Sequence, residues 1–317
     1  MDRLHLDEEI SSAIQNFTDA VTTAVEDEDI DTIAENSEHN EATTDINNEY
    51  PYAGVYARNA ENASFKDKLP ENSKTISVEL NTSRFSSAIW YNKVQEKVIT
   101  LAGLGGIGSY VYYLLTRMHP SFITIYDPDV VEAVNMSGQL YSREDLGKPK
   151  TQAMLDMAHN YSNYYKTGAF AEPFTSTSSA TNIMICGFDN MEARKIFFNS
   201  WRKYVKLKPD SEQKHCLFID GRLAAEEFQV FCIRGDDKYN INRYANEFLF
   251  GDSEADETIC SYKQTTFMAN MIGSIIVNLF VNFCANDLED EEKPLLERDL
   301  PFLTTYDASS MMFITNH

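Results

Sequence analysis

Gly103, Gly105 and Gly108, spaced as G-x-G-x-x-G, follow the apolar run Val98–Leu101 and precede the helix-like stretch SYVYYLLTRM. Glycine lets a backbone turn tightly and approach a ligand closely, and a helix opening at Gly108 aims unpaired N–H groups at an anion. That is chemistry for holding phosphate. A second apolar run, Phe122–Tyr126, ends at Asp127, nineteen residues beyond Gly108, where a carboxylate can accept hydrogen bonds from ribose hydroxyls. Glycines also serve any tight strand-to-helix turn packed on a sheet, so the pattern alone fits a structural turn as well as a nucleotide site.

These groups need strands and helices to hold them, and the chain supplies both. Val98–Leu101 and Phe122–Tyr126 read as strands, with a helix between them. The segment after Asp127 carries Asp129, Asn135, Gly138-Gln139 and Leu146-Gly-Lys-Pro-Lys150, and leads into a helix through about Tyr164. A nicotinamide enzyme has no evident need for that segment. Ile183–Gly187 reads as a buried strand ended by Phe188-Asp189-Asn190 and followed by a helix near Glu192–Tyr204. Cys216–Asp220 and Phe228–Ile233 read as two further strands separated by Gly221-Arg222, and the polar, acidic residues 235–259 as a long crossover loop. Phe267–Cys284 is apolar enough to raise a membrane question, but Asn270, Ser274, Asn278 and Asn282 recur every four residues, as on a largely buried helix of a soluble protein.

Composition narrows the function. Fifteen of the 49 acids but only one base, Arg3, fall in residues 1–50, a local net charge of −14 within a chain of −22. Such a chain is repelled by nucleic acid and by anionic membranes, so a protein partner fits better than either. Residues 4–25 place Leu6, Ile10, Ile14, Phe17, Val21 and Val25 on one stripe of an acidic helix, and a flexible acidic linker follows to about Tyr50. We divide the chain into an acidic extension, 1–70, and a catalytic or binding domain, 71–317, with a possible strand at Thr75–Leu80. The five cysteines are odd in number and form no C-x-x-C, so neither a disulfide framework nor zinc is expected. No signal peptide is visible, and a reducing cytoplasm is the expected compartment.

Glycine turn, Asp-x-Asp with a following Asn and Gln, Gly-x-x-Lys, and an Asp-Asn pair at a later strand end occur in this order over about ninety residues. The combination resembles the ThiF/MoeB family, the adenylating domain of ubiquitin-activating-type enzymes, from roughly Arg84 to Phe283. The resemblance implies an α/β fold with a doubly wound, mostly parallel, Rossmann-like sheet. It implies binding of ATP with Mg²⁺, adenylation of the C-terminal carboxylate of a small ubiquitin-like or sulfur-carrier protein, and a homodimer. By matching position, Gly103, Gly105, Gly106 and Gly108 would cradle phosphate, and Asp127 or Asp129 would hold the ribose. Asn135, Gln139, Lys150 and Arg84 would face the nucleotide, and Asp189 would hold Mg²⁺. Cys260-Ser-Tyr-Lys-Gln-Thr-Thr, ahead of the striped helix and within a crossover loop at about 235–262, resembles the loop cysteine that takes the acyl group as a thioester. Taken alone, Lys150 also reads as a solvated lysine at a helix start and Asp189 as a helix cap.

The chain departs from the family pattern at two cations. Gly138 precedes Gln139 where the family has an arginine, and Ser87 stands where a second arginine is expected, three residues after the retained Arg84. Arg84, Arg143, Lys148 or Arg222 would have to supply the charge from another direction. The alternative function is therefore a ThiF-like binding or regulatory partner with weak or no catalysis, and a nicotinamide or flavin oxidoreductase is the third reading. The other cysteines, Cys186, Cys216, Cys232 and Cys284, lie in apolar runs and read as packing.

Overall fold

A computed structural model describes residues 82–250, 265–288 and 297–317. The striped acidic helix at 4–25, the strand at 75–80 and Cys260 lie outside the described residues. After a short helix, α1 (Tyr91–Gln95), come β1 (Val98–Ala102), α2 (Gly106–Met118), β2 (Phe122–Tyr126), α3 (Lys150–Ser162), β3 (Thr167–Phe170), β4 (Ile183–Cys186) and α4 (Met191–Leu207). They are followed by α5 (Asp210–Gln213), β5 (Leu217–Leu223), β6 (Glu227–Arg234), α6 (Lys238–Arg243), α7 (Thr266–Asn286), β7 (Leu303–Asp307) and β8 (Met312–Asn316).

All eight strands form one sheet in the order β3-β2-β1-β4-β5-β6-β7-β8. Pairing is parallel from β3 through β5 and antiparallel from β5 to β8. The sheet is wound on both faces because alternate side chains of each strand are apolar. Ile99, Leu101, Ile123, Ile125, Ile183 and Ile185 point to one side and pack with α2, α3 and α7. Ala102, Met184, Cys186 and Phe218 point to the other, against Phe197, Phe198 and Trp201 of α4. Each such buried side chain contributes about 1.5–3 kcal/mol of transfer free energy. Among the described residues α7 alone is long and apolar enough to cross a membrane, yet its apolar side is buried in this layer. Asn270, Ser274 and Asn278 of the polar stripe are exposed.

Two expectations need correction. Residues 235–259 are not all loop: Asp237 caps α6 by accepting from the Asn240 N–H, and a π-helical turn, Tyr244–Phe248, continues it. Ile241 and Tyr244 are buried there, an apolar pair that the surrounding polar residues disguise. Gly221-Arg222 does not separate two strands but lies inside β5. A Cβ on Gly221 would sit 2.9 Å from Ile276 Cδ1, so the glycine makes room for α7 rather than for a turn. Finally, β3 and the β7–β8 hairpin carry no signal as strands in the sequence.

The four described cysteines are buried and none is in a disulfide, and burial raises the Cys232 and Cys284 thiols to about 12. At the end of the sheet opposite the glycine turn, Asp287, just past α7, bonds Lys97 Nζ at 2.5 Å and His215 Nδ1 at 2.6 Å. Burial pushes this carboxyl up, but His215 and Lys97 outweigh it and hold it well below the usual carboxylate range. A depressed folded pKa gives stability that is present above the unfolded value, about 3.9, and is lost as pH falls toward the folded one. Asp287→Asn should therefore cost about 2 kcal/mol at pH 7, and the gap from wild type should narrow at pH 3. Urea unfolding at both pH values checks this.

Candidate active site

Strand order reverses between β1 and β4, and the crevice outside the carboxyl ends at such a switch point is where open α/β sheets take their ligands. Three backbone segments meet there. Gly103, with φ +84°, donates its N–H to Tyr126 O at 2.9 Å, and Gly187 donates to Ala102 O at 2.8 Å. A Cβ on Gly103 would lie 2.7 Å from the Gly187 carbonyl, and one on Gly108 would lie 1.8 Å from Gly103 O. These glycines exist so that the turn, α2 and the end of β4 can touch. Gly105 differs, since an added Cβ would meet only Gln139 Nε2, 3.9 Å away. The helix opens at Gly106 rather than Gly108.

The turn is clamped from two sides. Leu104 N–H donates to Asp127 Oδ2 at 2.6 Å, and Tyr141 Oη donates to Leu104 O at 2.7 Å. The second Asp127 oxygen accepts from Asp129 N–H at 2.9 Å. Burial raises the Asp127 carboxyl against the pull of Lys150 and these two N–H groups. Burial, then the nearby carboxylates, also keep the Tyr141 phenol protonated as a donor. Asp127 thus shapes the turn, while Asp129 presents an exposed carboxylate. Asp127 is 4% exposed and the Asp129 side chain 63%; the distinction depends on the Leu104 amide and is invisible in the spacing.

Lys150 reaches Asp129 because the chain folds back on itself. Val130 bridges Pro149, Val131 N–H donates to Lys148 O at 2.8 Å, and Lys150 N–H donates to Asp129 O at 2.9 Å. Lys150 opens α3, but it is no solvated helix-start lysine: its side chain is 7% exposed and Nζ sits 2.7 Å from Asp129 Oδ2. Asn135, in a short 3-10 turn, accepts from Glu132 N–H at 2.8 Å. Gln139 leans over Gly105, and its Oε1 is buried without a hydrogen-bond partner among the described residues. Leu140 N–H donates to Ser109 Oγ at 3.1 Å, which ties this loop to α2.

Asp189 is exposed at the end of β4, and it is not the cap of α4. Asn190 is, accepting from Ala193 N–H at 2.8 Å. Beneath it runs a buried network. Arg194 donates to the Phe188 carbonyl and to Asp220 Oδ1, the latter at 2.5 Å. Arg222 Nε and Tyr244 Oη donate to Asp220 Oδ2 at 2.9 and 2.8 Å. Arg222 is therefore no substitute for the missing cations: it is held on Asp220 and on Phe248 O, over the Phe231 ring. Lys148 is likewise held by Asp145 and Asp156. Arg84 and Arg143 are exposed. Among the described residues no three metal-ligating side chains cluster, so a cation here would rest on Asp189 and on oxygens of its ligand.

Six residues beyond Cys260, the α7 start returns to the site: Thr266 Oγ1 donates to Ser137 O at 2.6 Å. An open depression beside this contact is lined by Tyr110, Ser137, Thr266, Phe267, Asn270 and Met271. Sequence reasoning missed Ser109, Tyr141, Gly187, Arg194, Asp220 and Tyr244. The glycine ending an apolar run at Gly187 was the one usable signal.

A profile of the ThiF family matches residues 78–313. Ubiquitin-like modifier-activating enzyme 5 of Caenorhabditis elegans is 35% identical over 66 residues, covering 21% of this chain and 16% of the relative. The protein of the same name from Arabidopsis thaliana is 28% identical over 103 residues, covering 30% of this chain and 24% of the relative. The chain thus spans less than a quarter of the length of either relative. In structure it is similar to PaaA, with a TM-score of 0.53 and 15% identity over 94% of this chain and 89% of that one. It is also similar to E. coli MccB solved with ATP, with a TM-score of 0.51 and 15% identity over 72% and 65% of the two chains. These structural likenesses are of fold.

Proposed function

The chain belongs to the ThiF family, and from that premise we propose that its crevice activates the C-terminal carboxylate of a small ubiquitin-like or sulfur-carrier protein with Mg-ATP. The observation that carries this reading is the convergence of an open glycine, a buried lysine paired to an exposed acid, and a second exposed acid at the ends of β1, β2 and β4. Gly105 and Gly106 offer backbone N–H groups to phosphate, with the Gln139 Nε2 donor beside the same turn. Asp129 accepts from ribose hydroxyls. Lys150 then lies beside the sugar and the phosphates, where it opposes the negative charge that builds when a carboxylate attacks a phosphate. Mg²⁺, bound through Asp189, supplies further charge neutralisation.

In this reading the carrier's carboxylate oxygen bonds the α-phosphorus and pyrophosphate leaves. The Cys260 thiolate can then take the acyl group, releasing AMP. The protein acts in the cytoplasm as a homodimer. A second reading is a binding or regulatory relative without turnover. It is favoured by Ser87 and Gly138 in place of two arginines, with Lys148 and Arg222 already committed to carboxylates.

Titration calorimetry of the full chain with ATP, with and without Mg²⁺, and with NAD⁺ tests these readings. Magnesium-dependent ATP binding that weakens about tenfold or more in Lys150→Ala is the expected result. No nucleotide binding would leave the non-catalytic reading, and NAD⁺ binding alone would overturn both.

A further inference from the structure

The Asp189 carboxylate has almost nothing of its own to hold it. It is exposed, and its one described hydrogen bond is a 3.4 Å contact from the adjacent Asn190 amide. Its place is set by the backbone. The carbonyl of Phe188 and the N–H of Asp189 belong to one rigid peptide plane, so fixing the first orients the second. Arg194 fixes it. One turn into α4, its side chain is 7% exposed and its guanidinium spans Phe188 O, Asp220 Oδ1 and Gly221 O, the last at 3.2 Å. Asp220, fully buried, is locked from its other oxygen by Arg222 and Tyr244. A fork of this kind needs guanidinium geometry; an ammonium cannot serve three diverging acceptors in one plane.

We propose that Arg194, anchored on Asp220, is a positioning residue for Asp189, setting the carboxylate for a divalent cation carried on a nucleotide. This rests on the assignment of Asp189 to the cation in the activating-enzyme reading. Arg194 touches neither cation nor nucleotide and acts through the Phe188–Asp189 peptide. It therefore affects cation-dependent binding and leaves metal-free nucleotide binding alone.

The probe is Mn²⁺ with ATP, titrated into the full-length chain and followed by electron paramagnetic resonance. The variants are Asp189→Asn, Arg194→Lys and the two combined, with circular-dichroism melting in parallel. Arg194→Lys should weaken Mn-ATP binding about tenfold and should add nothing further in the Asp189→Asn background, whereas its effect on melting should persist in both. A purely structural Arg194 would weaken binding equally in both backgrounds, and that result, or no change at all, overturns the proposal. Asp189→Asn alone reports on the underlying assignment: unchanged Mn-ATP affinity there removes the cation site and this inference with it. If Arg194→Lys does not fold, Tyr244→Phe decides, because it removes only one hydrogen bond from Asp220. It should weaken Mn-ATP about two- to threefold, again only when Asp189 is present.

Discussion

Gly108→Ala should destroy the glycine turn, lowering stability by about 3 kcal/mol or more and abolishing nucleotide binding. The added Cβ falls 1.8 Å from Gly103 O and 2.8 Å from Gly103 C, both backbone atoms. Neither can yield alone. Gly103 is fixed by its positive φ, by its hydrogen bond to β2 and by its close approach to Gly187, so relief has to move α2 away from the sheet. Gly105→Ala provides the contrast. Its Cβ meets only a flexible amide at 3.9 Å, so the fold should melt close to wild type, while on the proposed function ATP affinity should fall because the methyl would stand in the way of phosphate. Thermal melts and calorimetry on the two variants separate the glycine that builds the turn from the one that faces the ligand. Equal melting of both variants would refute the distinction.

What the sequence revealed and what it hid divide along physical lines. β1, β2 and β4 are short, mostly apolar runs, VITLA, FITIY and IMIC, ended by Gly or Asp, and a strand buried on both faces needs no other signal. β8 is exposed along its whole length and exists only because β7 pairs with it. No local pattern encodes that. α6 was hidden by composition, as one buried isoleucine among Lys, Asn and Arg looks like loop. The position of the glycines, Asp129, Lys150 and Asp189 at the turns between strand and helix was readable from local spacing, whereas their roles rested on the family resemblance. The division of labour between Asp127 and Asp129 was not, because it depends on which acid meets the Leu104 amide twenty-three residues upstream. Arg194 was hidden for the same reason. On an amphipathic helix that also carries Lys195, Arg202, Lys203 and Lys206, an arginine reads as one more solvated cation, and only the approach of Asp220 from β5 buries it.

That burial carries the second large prediction: Asp220→Ala should cost about 3–5 kcal/mol. The carboxylate is fully buried between Arg194 and Arg222, and removing it strands two guanidiniums and the Tyr244 hydroxyl in the interior. Burial alone would raise this carboxyl, but Arg194 and Arg222 outweigh it and hold it below the usual range. The sign follows as for Asp287: the stabilisation is complete above about pH 4 and fades as acid protonates the group. If unpaired charge is the cause, Arg194→Met made in the Asp220→Ala background should recover part of the loss, because it removes one of the two stranded cations. If lost packing were the cause, the two substitutions would simply add. Urea unfolding of the four proteins in this cycle decides between them. A double variant that folds but binds ATP without responding to divalent cation would place the network's role in holding the Asp189 turn.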